Sequence, residues 1–141
     1  MTYFTNESVL YFTLRVILGI LFFFQGYDKL FKLKIKGVIE FFHEEMRGKN
    51  VPSFLLSLSA YFTSLIEFFA GGLLILGLFK TYALCFLGVD LILVCGAFSM
   101  MKPMWDMQLL FPRLAILSVL LYLPGNWDLL SLDQLILQFL K

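Results

Sequence analysis

Four times in this chain an apolar run of close to 20 residues recurs, and nothing else restricts its fold so strongly. An α-helix rises about 1.5 Å per residue, so each run measures roughly 30 Å, the thickness of the hydrocarbon core of a bilayer. Composition agrees. Hydrophobic residues make up 60% of the 141 residues and charged residues 15%, whereas soluble domains sit near ~45–50% and ~25%. The sequence therefore predicts a single all-α membrane domain over 1–141. It is a four-transmembrane-helix bundle in a lipid bilayer, with spans at about 8–27, 53–79, 82–101 and 107–123.

The first run lacks a basic leader and a small-residue cleavage site, so it reads as a mature helix and not as a signal peptide. Asn6 or Ser8 is placed to cap it. Between the first two spans lies the only long loop, Asp28 to Pro52. Its apolar and basic residues alternate in a way that suits an amphipathic element on the membrane surface. A tight turn at Lys80-Thr81 joins the second and third spans. A short polar connection at 102–106, with Pro103 and Trp105, precedes the fourth. The tail from Trp127 onward reads as interfacial or as a short final helix. Four spans place both termini on one side. The long-loop side carries Lys29, Lys32, Lys34, Lys36, Arg47, Lys49 and Lys102, against Lys80 and Lys141 on the other. Positive-inside counting puts the loop in the cytoplasm.

Charges inside the spans carry the functional information. A carboxylate in hydrocarbon is costly unless it is paired or protonated. Glu67 lies in the middle of YFTSLIEFFAGGLLILGLF, and Arg15, Asp90 and Arg113 lie in the other three spans. Depths taken from the helical rise put Arg15 roughly 11 Å, Asp90 about 13 Å and Glu67 about 18 Å from the terminal side. They predict one cluster of Arg15, Glu67 and Asp90. A second layer of Arg113, Asp28 and Gln25, beside Lys29, is expected toward the loop side. The first cluster carries one negative charge in excess, which calls for a proton or a further cation. Such a set is either structural, fixing helix register, or it lines a pocket or proton path. An acid facing a partner subunit in an oligomer is the third reading. Gly19, Gly26, Gly71, Gly72 and Gly77 are read as helix-packing positions, since small residues let membrane helices approach closely.

Several chemistries are excluded. Cys85 and Cys95 lie roughly 15 Å apart along one helix, too far for a disulfide. There is no C-x-x-C pair for thiol exchange. His43 is the only histidine, so bis-histidine haem is ruled out. No zinc spacing occurs, and neither a phosphate-binding glycine loop nor a nucleophile elbow is present. A net charge of +1, with no basic stripe, argues against nucleic acid. No catalytic residue and no metal ligand is assigned.

Two motifs resemble a known family. The first is Arg15-x-x-Leu18-Gly19 followed by Gly26-x-x-Lys29-Leu30-Phe31. The second is Glu67-x-x-x-Gly71-Gly72 running through Gly77 to a basic turn at Lys80. Together with four spans they resemble the DoxX family of small four-helix membrane proteins, over about Leu14 to Pro124. The resemblance implies a prokaryotic inner-membrane bundle. Family members are associated with quinone-linked thiosulfate oxidation or with membrane thiol and oxidative-stress complexes, and distant relatives act as cargo receptors. It carries over Arg15, Gly19, Gly26, Lys29, Glu67, Gly71, Gly72 and Gly77. Asp90 and Arg113 rest on the residues alone. Without a cysteine pair, the expectation is an accessory subunit of a quinone- or thiol-linked redox system, with no independent catalytic activity. Its intramembrane pocket suits a quinone or another lipid-soluble ligand. The alternatives are a scaffold that recruits a membrane or secreted partner protein, and a small transporter or proton path.

Overall fold

A computed structural model describes residues 5–101, 108 and 110–139. Among them the regular structure is entirely helical. The expected connection at 102–106, the start of the fourth span at Met107, and Lys141 lie outside the described residues.

Helix α1 runs Asn6–Tyr27. It opens with a reciprocal cap in which Thr5 Oγ1 accepts from the Ser8 amide at 3.2 Å and Ser8 Oγ accepts from the Thr5 amide at 3.1 Å. Two otherwise unpaired donors at the helix start are satisfied in this way. At its far end α1 passes into a π-helical turn, Asp28–Lys32. Lys34 then adopts a left-handed φ of 57° and turns the chain into α2, Lys34–Glu45. The expected amphipathic loop is thus largely helical. Val38 is its buried residue, and Lys34, Lys36, Glu40 and Glu44 stay exposed.

Helices α3 (Ser53–Leu76) and α4 (Lys80–Met101) follow. Gly77 closes α3 with φ 73°, and the amides of Gly77 and Leu78 bond back to the carbonyls of Leu74 and Leu73. A left-handed residue is needed there, and glycine adopts that conformation without steric cost. Helix α5 is Leu110–Tyr122. A 3-10 turn at Gly125–Trp127 leads to α6, Leu132–Phe139. Three helical stretches, Asn6–Lys32, Ser53–Leu76 and Lys80–Met100, are long and apolar enough to cross a membrane. The expected fourth span appears as α5, a shorter apolar helix of 13 residues.

The most extensive helix packing is between α1 and α3, which run antiparallel. Gly19 faces Ile75, Phe23 faces Gly71 and Gly26 faces Phe68. A Cβ on Gly26 or Gly71 would collide with the backbone of the facing helix, whereas one on Gly72 would make ordinary contact with the Phe23 ring at 3.6 Å. Buried Tyr11, Leu18, Phe22, Leu74, Leu87 and Leu120 fill the interior. Phe24, Phe69, Phe86, Ile92 and Tyr122 remain on the outer surface, as a bundle bathed in lipid requires.

Replacing Gly26 with Ala is expected to lower the thermal unfolding midpoint in detergent, at a cost of about 1–3 kcal/mol for overpacking. Gly72→Ala should leave the midpoint within about 0.5 kcal/mol of wild type. Equal effects at the two positions would contradict the α1–α3 seam.

Candidate functional site

The buried charges form two groups, divided differently from the sequence expectation. Arg15 is fully buried and does not meet Glu67 or Asp90. Its Nη1 donates to the Leu74 carbonyl and, at 3.2 Å, to the Ile75 carbonyl, both in the last turn of α3. Nη2 donates to the Leu130 carbonyl at 3.2 Å, and Nε lies 3.3 Å from the Asp128 carboxylate. A cation at a helix C-terminus meets its negative dipole end and satisfies orphan carbonyls.

Lys80 completes this group, 3.2 Å from Asp128 and bonded to the Gly125 carbonyl at 2.9 Å. Asp133 accepts from the amides of Phe79 and Lys80 at 3.1 and 3.4 Å, capping the start of α4. The tail therefore folds back over the α3–α4 turn. Sequence reading missed Asp128 and Asp133. The available signal was an isolated acid at Asp128 between Trp127 and Leu129-Leu130, on the same side as Arg15.

Glu67 belongs to the second group. Lys29 Nζ lies 2.7 Å from both of its carboxylate oxygens, and Gln25 Nε2 donates to Oε1 at 2.9 Å. The further cation that the acid needs is thus Lys29. Asp90, on α4, is within electrostatic reach of Glu67, Lys29 and Arg113. Arg113 places its guanidinium over the Phe22 ring at 5.5 Å. Asp28 is not part of this layer; it pairs with Lys32 at 2.6 Å on the exposed surface.

The division has a geometric cause. Helical side chains lean toward the helix N-terminus. Arg15 therefore reaches toward the terminal side, level with Gly77, while Lys29 reaches back into the bundle. Depths taken from the backbone omit this lean, which carries Arg15 away from Glu67 and Lys29 toward it. The antiparallel register then sets Glu67 opposite the end of α1, beside Gln25.

Gln25 and Lys29 also line a cavity of about 490 Å³ between the end of α1, α2, the first half of α3 and the second half of α4. Its walls are mainly apolar and include Phe41, Phe42, Leu56 and Phe98; Ser59 and Thr63 add hydroxyls. Among the described residues Lys29 is the one charged residue in that lining. Glu67 and Asp90 lie behind it and are fully buried. Cys85 and Cys95 are both free thiols.

The DoxX family profile matches residues 10–100, well over half the chain. The chain belongs to the DoxX family. With its three long apolar helices it is a membrane protein. No curated protein and no solved structure gives a significant match. The matched region of this DoxX protein contains Arg15, Gln25, Lys29, Glu67 and Asp90, but ends before Arg113 and the tail that supplies Asp128.

Breaking a buried pair leaves an uncompensated charge, at a cost of about 3–5 kcal/mol. Arg15→Met is accordingly expected to lower stability by about 3 kcal/mol or more. Arg15→Met with Asp128→Asn should destabilise by less than the sum of the two single changes, measured by thermal unfolding in detergent. Strict additivity would show that the two residues do not act as a pair.

Proposed function

We propose that this DoxX protein is an accessory subunit of a quinone- or thiol-linked redox system in a prokaryotic inner membrane, and that its cavity binds a quinone. The observation that carries the reading is the cavity itself. Ligand sites are typically concave, mostly apolar and ~300–1,000 Å³, with a few polar groups that orient the ligand. This one has about 490 Å³, three Phe side chains on its walls, and Lys29 and Gln25 on one side.

A quinone fits that description: its ring suits an aromatic, apolar slot, and its oxygens accept hydrogen bonds. Lys29, with its three N–H donors, is the residue to hold a quinone oxygen. Ser59 and Thr63 offer further hydroxyls, and Phe41, Phe42 and Phe98 would enclose the ring and tail. The quinone, when bound, supplies two-electron redox chemistry. The chain's own residues bind it, orient it and keep water away. With two separate free thiols and no cysteine pair, electrons would come from a partner subunit.

The test is extraction of co-purified lipids from protein in mild detergent, with mass spectrometry of the extract, followed by titration with added quinone. A stoichiometric quinone that Lys29→Met weakens at least tenfold, about 1.4 kcal/mol, is expected. A clean preparation that neither contains nor binds quinone would sink the reading.

A further inference from the structure

Lys29 stands between two environments. Its ammonium lies 2.7 Å from both Glu67 oxygens, yet its side chain is 17% exposed and it lines the cavity. Glu67 and Asp90 are each 0% exposed and neither lines that cavity.

Asp90 is the unusual member of the group. Neither of its carboxylate oxygens has a hydrogen-bond partner among the described residues. The charged groups facing it are Glu67 from α3, Lys29 from the π-helical turn and Arg113 from α5. Arg113 is held over the Phe22 ring and forms no ion pair among the described residues. One acid is therefore clamped by Lys29 and Gln25, and the other is buried without a donor. A buried polar group left this way is costly.

An ammonium that turns toward a ligand in the cavity must loosen its hold on Glu67. Two acids would then face each other with Arg113 as the remaining cation. Two carboxylates sharing one dry site cannot both stay ionised cheaply. Binding one proton from solvent restores neutrality.

We propose that Lys29 exchanges Glu67 for the head of the cavity's occupant, and that the Glu67–Asp90 pair takes up one proton as it does so. This rests on the cavity being a ligand site and adds that its occupancy is proton-coupled. The proton leaves solvent water and ends in an O–H bond on one of the two carboxyl groups, and no electrons are transferred. Gln25 remains as a donor to Glu67 while Lys29 is engaged elsewhere.

The experiment is calorimetric titration of the detergent-solubilised full chain with a decyl-tailed benzoquinone, over a range of pH and in two buffers with different heats of ionisation. Uptake of about one proton per quinone is expected, with affinity weakening about tenfold for each unit of rising pH within the window where the pair titrates. Asp90→Asn should flatten that slope and remove the buffer-dependent heat. Quinone binding with no buffer dependence and no pH slope in the wild type would overturn the coupling and leave the ligand reading intact. So would Asp90→Asn protein that keeps the full slope. If Asp90→Asn fails to fold, the wild-type comparison of buffers decides by itself. Folded wild-type protein that binds no quinone at any pH removes the ligand reading, and the coupling with it.

Discussion

An ionised side chain held away from water must find its counter-charge and hydrogen bonds inside the protein, and the architecture follows from how two such side chains are answered. Arg15 is answered by the end of α3 and by the tail. Glu67 is answered by Lys29 and Gln25 at the end of α1. Both solutions join α1 to α3, one at each end of their shared seam. Between them Gly19, Gly26 and Gly71 let the backbones approach closely enough for both to be made at once. Charge and close packing are therefore one arrangement.

The two ends differ in character. The Arg15 end is densely bonded: guanidinium, three carbonyls, Asp128 and Lys80 answer one another, and Asp133 caps the neighbouring helix, with Asp128 Oδ1 left without a hydrogen bond among the described residues. These bonds hold the tail over the α3–α4 turn. The Glu67 end is unsaturated. Among the described residues Asp90 has no hydrogen-bond donor, Arg113 rests on a ring, and Lys29 borders a cavity. The tail is tied down at one end of the bundle, and the cavity lies at the other.

Much of this was legible in the residues. The apolar runs gave three long helices at nearly their observed bounds, because bilayer thickness and helical rise leave little freedom. The four charges of the spans, three of them buried and Arg113 half-buried, were visible as charges in apolar stretches. Their partners were not. Pairing depends on register and on the lean of long side chains, and neither is written in the position of a single residue. Arg15 was assigned to Glu67 and Asp90, and it bonds instead to carbonyls and to an acid beyond the fifth helix. A backbone carbonyl has no sequence signature, so that partner was beyond reading. Asp128 was hidden because an acid in a tail looks solvated until the tail is seen to fold back. Gly77 was read as a packing residue. Its left-handed φ makes it the terminator of α3, a distinction that needs the turn itself.

A specific ligand beside Lys29, as proposed, differs measurably from lipid filling an open groove. Photolabelling the membrane-embedded protein with an azido-quinone, followed by peptide mapping, addresses it most directly. The account predicts adducts concentrated on the cavity walls, at Phe41, Phe42 and Phe98, and lost when unlabelled quinone competes. Labelling spread evenly over outward-facing residues such as Phe69, Phe86 and Ile92, and insensitive to competitor, would contradict it.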